Sequence, residues 1–456
     1  MGEEGDAVGA DLVGSVAVGR DAIGADDHEL YLAFLHHLGG HVIADEGNFD
    51  APLVQLPGGQ AGALQERSRF IGEDAEVPAL DFPSVVAQFP IKRKRAYLNN
   101  ASIGPMSEPV LAAVSTFLND VRDNGRNNYP AWCRYAEEQI KARVARLIGA
   151  HASEIAFVKN TTEGLVAVAN GLAWRDGDNV VLPGYEYPSN VYCWMRLATL
   201  GVSIRWVEPR QGRIPVDAIA EAIDARTRLV SLSAVQFSNG FRHDLAATSE
   251  LCRERGVLLN LDAIQWVGAL ALDLSRLAVD FLAFGGHKWL LAPIGTGIFY
   301  CNANALDQLQ PSHVGYHSVE KSEAHLDYDL TALRPGAARF EAALENFPGI
   351  WGLDAAVKIL LGLGPQRVQE HILDLTAYAA ERLRSRGWHI ASPWQSSERS
   401  GLLSLSSPAV KAKHVEDRLR AAAVDVAVRD GKLRISPSYF NDRQEIDRLM
   451  EALPRI

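Results

Sequence analysis

The sequence predicts an α/β protein: a large domain built on a mainly parallel sheet covered by helices, followed by a smaller α+β C-terminal domain. Three observations carry this. From Tyr97 onward, short apolar runs of strand length alternate with longer segments of helical periodicity, the pattern of a parallel sheet covered on both faces. At 456 residues the chain exceeds one ordinary core, so two domains and an appendage are expected. Hydrophobic residues at 47% and charged residues at 22% match a soluble globular composition. The expected divisions are an extension over 1–90, a large domain over 91–345 and a small domain over 346–456.

The extension opens with a stretch rich in Gly, Ala, Val and Asp. Asp27–Leu38 has helical apolar spacing after an acidic start, which predicts a short amphipathic helix. His36, His37 and His41 cluster there, but no carboxylate or Cys completes a ligand pattern, so no metal is expected. Further on, strands are expected at Ile155–Val158, Val180–Leu182, Ser203–Val207, Leu229–Leu232, Val257–Leu261, Phe281–Phe284 and Gly297–Tyr300. Helices are expected over Glu108–Asp123, Tyr135–Ile148, Thr162–Leu172 and Thr248–Arg255. Ile350–Leu363 reads as the helix leading into the small domain, where His371–Gly387 follows as a helix and Leu402–Leu405 as a strand.

A net charge of −11, from 45 basic and 56 acidic residues, argues against a nucleic-acid binder, which needs a basic face. The basic run Lys92–Arg95 reads as a solvated linker. Cys133, Cys193, Cys252 and Cys301 are scattered, without metal-ligand spacing, and suit a reducing cytoplasm. No apolar run approaches the ~20 residues of a membrane span, and the acidic start Met1–Asp6 is unlike a secretory signal. The expectation is a soluble cytoplasmic protein without nucleic-acid or membrane partners.

Two strand ends carry the chemistry. Val257–Leu261 runs into Asp262, and Phe281–Phe284 runs into Gly285-Gly286-His287-Lys288. A lone lysine after a strand is more often a solvated surface amine. The glycines, the histidine and the partner aspartate point instead to pyridoxal phosphate (PLP). A lysine amine forms a Schiff base with the cofactor aldehyde, and an aspartate keeps the pyridine nitrogen protonated so the ring accepts electrons.

With these motifs, the chain from Tyr97-Leu98-Asn99-Asn100-Ala101-Ser102 to Leu433-Arg434-Ile435-Ser436-Pro437-Ser438-Tyr439-Phe440-Asn441 resembles the aminotransferase class V family of fold-type I PLP enzymes, which contains cysteine desulfurases and isopenicillin N epimerase-like proteins. The resemblance implies a homodimer, a small amino-acid substrate, and Lys288 as both Schiff-base residue and general base. It implies phosphate contacts from Thr161 and Thr162 at the start of a helix, from His287, and a further one from Gly295-Thr296-Gly297, within the chain or across a dimer interface. Tyr187 falls at the position of the aromatic that stacks on the pyridine, where desulfurases carry a histidine. Gln265 is placed to bond the cofactor's phenolic oxygen. Phe237 stands where an Asn is usual, leaving open whether Gln236 substitutes. Arg434 is the expected clamp for the substrate carboxylate, with Asn100 a further substrate contact and Arg429 and Arg339 weaker candidates.

The sequence also carries an expectation about the reaction. Val426–Lys432 joins the Arg434 motif directly, with no cysteine and no room for a persulfide-carrying loop. Persulfide-forming desulfuration is therefore discounted. Lyase or group-transfer chemistry in specialised metabolism is expected, with aminotransferase or epimerase activity as the alternative. A non-catalytic scaffold remains as a reading that would not need the intact Asp262, His287 and Lys288 set.

Overall fold

The structure, a computed structural model, describes residues 77–320, 328, 330 and 332–456. The expected helix at Asp27–Leu38 and the histidines His36, His37 and His41 lie outside the described residues. In chain order the strands are β1 (Ala96–Tyr97), β2 (Ile155–Val158), β3 (Asn179–Pro183), β4 (Ser203–Val207), β5 (Thr227–Ser233), β6 (Leu258–Asp262), β7 (Phe281–Gly285), β8 (Gly297–Cys301), β9 (His389–Ile390), β10 (Leu403–Ser406), β11 (Val424–Asp425), β12 (Ala427–Arg429) and β13 (Lys432–Ile435). The helices are α1 (Phe82–Val86), α2 (Glu108–Asn124), α3 (Tyr129–Tyr135), α4 (Lys141–Ile148), α5 (Thr161–Gly171), α6 (Ser189–Met195), α7 (Val216–Ala222), α8 (Leu245–Arg255), α9 (Phe347–Leu363), α10 (Pro365–Arg384), α11 (Ala412–Ala421) and α12 (Arg443–Ala452).

The main sheet has the order β2-β8-β7-β6-β5-β3-β4. Its pairs from β7 through β6, β5 and β3 to β4 are parallel, while β8 runs antiparallel to β7 and β2. Apart from the edge strand β4, these strands are almost wholly buried, because helices cover both faces. Successive side chains leave a strand on opposite sides. Phe157, Val181, Val230, Leu259, Leu282 and Ile298 therefore enter one core, with Phe117 of α2, Val144 of α4 and Leu353 of α9. Ala156, Val180, Leu229, Phe281 and Phe299 enter the other, with Leu165 and Val168 of α5 and Trp194 of α6.

The C-terminal part has an antiparallel sheet in the order β12-β13-β10-β9. Leu403, Leu405, Leu433 and Ile435 from it pack against Val415 and Leu419 of α11 and Ile446 and Leu449 of α12. β1 pairs in parallel with β11, and Asn99 bridges Ser436, so the segment ahead of the main sheet is anchored in this C-terminal layer. It then runs to Gly104, whose N–H donates to the His287 carbonyl at 2.8 Å. A Cβ on Gly104 would lie 2.3 Å from the Lys288 carbonyl oxygen, so this close approach requires glycine.

Helix starts differ most from expectation. α10 begins at Pro365 rather than near His371, with proline in the first turn, where its missing N–H costs nothing. α8 begins at Leu245, because Asp244 caps it by accepting from Ala247 N. The helix expected over Tyr135–Ile148 starts already at Tyr129, and its middle, Ala136–Ile140, winds as a π-turn.

Candidate active site

Parallel strands collect their following loops at one edge of the sheet, and crevices form there. The ends of β2, β3, β5, β6 and β7 deliver Asn160 to Thr162, Tyr187, Phe237, Asp262 and Lys288 to one cavity of about 430 Å³. The strap from β1 adds Ala101, Ser102 and Ile103, and the C-terminal sheet adds Arg429 and Arg434. A larger cavity of about 760 Å³, beside Phe241, His243 and Trp266, shares none of these residues.

Lys288 is half-buried. Burial pushes its amine down to about 8, and Arg434 and Arg429 push the same way, against the pull of Asp262. Asp262 is 2% exposed. Burial raises its carboxyl to about 6, opposed by the Ile264 N–H, which donates to it at 3.0 Å, and by Lys288. The Lys288–Trp289 turn is held from two sides. The Trp289 indole donates to Gln265 Oε1 at 2.8 Å, and Gln265 Nε2 donates to the Ala101 carbonyl at 3.1 Å. Both ends of the Gln265 amide are thus engaged with protein.

At the start of α5, the N-cap is Asn160, whose side chain accepts from Glu163 N at 2.9 Å. Neither threonine is needed as a cap. Thr161 is buried and its Oγ1 has no hydrogen-bond partner, while Thr162 Oγ1 donates to Ser189 Oγ at 2.9 Å. His287 lines the same cavity, its imidazole pushed down by burial and by Lys288.

Tyr187 forms an edge-to-face pair with Phe237, ring centroids 5.2 Å apart. Arg434 is 1% exposed. It donates to the Phe237 carbonyl at 2.6 Å and to Ser102 Oγ at 3.0 Å, and its Nε is buried without a partner. Burial and then Arg429 push its pKa down, yet a guanidinium keeps its charge at neutral pH.

Two expected contacts do not line the cavity of the single chain. Asn100 is fully buried, donating to the Ser436 carbonyl at 2.9 Å and to Asn441 Oδ1 at 3.2 Å, and it joins the strap to the C-terminal layer. Thr296 donates to the Pro293 carbonyl at 2.6 Å and lies outside the cavity lining. Gln236 also turns away, donating to Glu186 Oε1 at 2.9 Å, and Phe237 takes the lining position. Arg339 donates to the Arg334 carbonyl at 3.1 Å, away from this lining.

Sequence reasoning missed Ser102 and the buried Glu186. Glu186 accepts from Ser233 N at 2.8 Å, from Asn190 Nδ2 at 2.9 Å, from the Ser233 hydroxyl and from Gln236, tying the β3 loop to the end of β5. Burial raises its carboxyl to about 7. Its neighbours Ser233 and Gln236 are distant in sequence, so no local pattern announced it.

A family model described as aminotransferase class-V matches residues 96–449. A probable cysteine desulfurase of Methanothermobacter thermautotrophicus is 35% identical over 292 residues, covering 63% of this chain and 72% of the relative. Among solved structures, the apo cysteine desulfurase of Thermococcus onnurineus superimposes with a TM-score of 0.75 at 26% identity, over 82% of this chain and 98% of that one. The cystine C–S lyase C-DES, solved with its product cysteine persulfide, gives a TM-score of 0.73 at 25% identity, over 80% and 98%. Another C-DES structure holds glycine covalently linked to PLP. These findings correct one expectation: persulfide-forming desulfuration, discounted for want of a loop cysteine, is what several relatives are named for. In C-DES the persulfide is on the product cysteine, so a missing loop cysteine does not exclude this chemistry.

Proposed function

The chain belongs to the aminotransferase class-V family, with the fold-type I architecture of its PLP-dependent enzymes, and from that premise we propose that it cleaves the carbon–sulfur bond of a cysteine-type amino acid and forms a persulfide. The observation that carries this reading is the meeting of Lys288, Asp262 and Arg434 in one cavity.

The donor set fits PLP. The orphaned Thr161 hydroxyl stands at the N-terminus of an eleven-residue helix, where free N–H groups and the dipole favour a phosphate. Thr162 and His287 line the same cavity as further phosphate candidates. Asp262, raised by burial, would regain its charge beside a protonated ring nitrogen. Tyr187 offers an aromatic face and Lys288 the amine. When bound, the cofactor supplies an electron sink for the pair released at the substrate's Cα. Lys288, with its amine near 8, removes the Cα proton and returns it where the reaction requires. Arg434 holds the substrate carboxylate in its fork and so fixes the directions of the other bonds at Cα. Phe237, Ile103 and Ile264 give the cavity an apolar wall that keeps water from the amine.

None of the four cysteines lines the cavity. Burial pushes the thiols of Cys193, Cys252 and Cys301 up to about 12, far from a reactive thiolate. We therefore assign the persulfide to sulfur that arrives with the reactants. From a disulfide, the C–S bond breaks with its electron pair leaving on sulfur, and the existing S–S unit departs as the persulfide. From cysteine, a second reactant's thiol attacks the sulfur and the C–S electron pair stays on carbon.

The assembly we propose is a homodimer. The outer side of α2 exposes Leu111, Leu118 and Val121, with Ile103, Met106 and Ile294 also exposed, and Ile103 continues into the cavity. Exposed apolar side chains gathered on one helix suit a partner face, and a second copy is the partner we assign. The cytoplasm remains the compartment we propose, on the free cysteines.

The test incubates PLP-loaded enzyme with cysteine and with cystine and traps persulfide by alkylation and mass spectrometry. Persulfide from either substrate supports the reading; turnover restricted to amino acids without sulfur overturns it. Borohydride should fix the cofactor to the peptide containing Lys288, and Lys288→Ala should give no such adduct while remaining folded.

A further inference from the structure

We infer that the chain holds a second ligand site, for a hydrophobic α-amino acid in its zwitterionic form, in the cavity beside Trp266. The inference goes beyond the carbon–sulfur cleavage reading and does not depend on it. The cavity measures about 760 Å³, a size in the range of small-molecule sites, roughly 300–1,000 Å³. It is built on the same two loops as the cofactor cavity, from different residues. The loop after β5 gives Phe237 to the cofactor cavity and Phe241, Arg242, His243 and Asp244 to the second. The turn after β6 gives Gln265 to the cofactor cavity and Trp266 to the second.

The wall of the second cavity is apolar. Ile214, Phe241, Leu245 and Trp266 line it, and all four are buried. His243 stands among them, 2% exposed, with its ring edge-to-face on Phe241 at 4.9 Å between centroids. Its Nε2 has no hydrogen-bond partner, and burial pushes the imidazole down to about 3, so it joins the wall uncharged.

The charges around this wall do not pair with one another. Arg242, Arg276, Asp244, Asp273 and Glu398 all line the cavity. Glu398 is committed to a bidentate pair with Arg213, at 2.7 and 3.0 Å. Arg242 donates to the Ser397 and Ser396 carbonyls at 2.8 and 3.0 Å, both neutral partners. Asp244 accepts from Ala247 N at 3.0 Å, and Asp273 from Ser275 N at 3.1 Å. Burial and then Arg399 lower the Arg242 guanidinium, while Asp244 raises it, so that carboxylate is within electrostatic reach of the arginine. Among the described residues, no ion pair joins either arginine to either aspartate. Two cations and two carboxylates set no net charge for a ligand to neutralise. A simple anion would meet the aspartates, and a simple amine the arginines. A zwitterion satisfies both: its carboxylate lies on Arg242, its ammonium toward Asp244, and its side chain on Phe241 and Trp266.

Calorimetric titration of PLP-loaded Arg434→Gln with L-tryptophan tests this site in a background where the carboxylate anchor of the cofactor cavity is gone. Saturable binding of one tryptophan per chain is expected. Tryptamine, which lacks the carboxylate, and indole-3-propionate, which lacks the ammonium, should each bind about 10-fold more weakly, the scale of one charge-assisted contact. Arg242→Gln and Asp244→Asn, added singly, should each weaken tryptophan by a similar factor; asparagine keeps the helix cap. Ala246→Trp places a large side chain at an exposed lining position, fills the cavity without touching the core, and should remove binding. Three results overturn the assignment: no saturable binding of tryptophan, binding unchanged by Ala246→Trp, or a single-charge analogue that binds as tightly as tryptophan.

Discussion

The Lys288 amine lies 5.7 Å from the centroid of the Tyr187 ring. A cation over an aromatic face favours the protonated amine, yet burial prevails and brings Lys288 down to about 8. The neutral amine therefore gains population as pH rises through about 8. In the cofactor-free protein, acylation of Lys288 followed by peptide mapping should show a midpoint there, well below the ~10.4 of ordinary lysines. The sign for stability follows. Between about 8 and about 10.4 the unfolded chain holds a proton that the folded Lys288 does not, so this residue's contribution to stability rises with pH across that window. A midpoint above 10 would contradict the burial argument.

Asp262 has the opposite sign. Its carboxyl is raised from 3.8 to about 6, so between those values the folded state holds a proton that the unfolded state has lost. Its contribution to stability falls as pH rises through the window. Asp262→Asn lacks this dependence. Denaturant unfolding of the two apoproteins should show the variant gaining about 3 kcal/mol relative to wild type between about pH 4 and above 6, roughly two pH units at ~1.4 kcal/mol each. Cofactor retention should weaken in the same variant, because its amide cannot pair with a protonated ring nitrogen.

Arg434→Gln tests the carboxylate clamp. A fork held by Ser102 and the Phe237 carbonyl is aimed before substrate arrives. Its loss should raise KM for amino acids by about 10²-fold, the scale of a charged bidentate contact of ~1.5–3 kcal/mol. Steady-state kinetics with cysteine checks this, and an unchanged KM removes Arg434 from the site.

Glu186→Gln probes the network beneath Tyr187. The carboxylate accepts from Ser233, Asn190 and Gln236, all buried, and a glutamine would present an NH₂ group to at least one donor. A buried donor left without an acceptor costs about 1–3 kcal/mol. Thermal unfolding should report that loss, whereas an unchanged Tm would mean the network rearranges freely.

The central strands were legible because strands buried on both faces read as continuous apolar runs: Ile155–Val158 falls as expected, and the other buried strand ends move by a residue or two, while the edge strand Ser203–Val207, partly exposed, also falls as expected. Helix starts were less legible: α8, capped by Asp244, and α10, opening at Pro365, both begin ahead of the starts expected at Thr248 and His371. At the site, Lys288 and Asp262 announced themselves by chemistry at strand ends, and Tyr187 was reached through the family resemblance. For Gln265 the sequence predicted a bond to the cofactor, whereas the claims of the Trp289 indole and the Ala101 carbonyl on its amide are tertiary facts. Ser102 and Glu186 were invisible for the same reason, each having an important partner far along the chain.

The pairing of β1 with β11 has a consequence for the order of assembly. The parallel sheet is built from strands that follow one another closely, and it can form while the chain is still being extended. The strap ahead of it has to wait for Val424 and Ser436, nearly the whole described chain later, before Ser102 and Arg434 can meet. Contacts this distant in sequence form late, because loop closure must precede them. In refolding, the secondary-structure signal should return before amino-acid binding, and the carboxylate anchor should be the last part of the pocket to become competent.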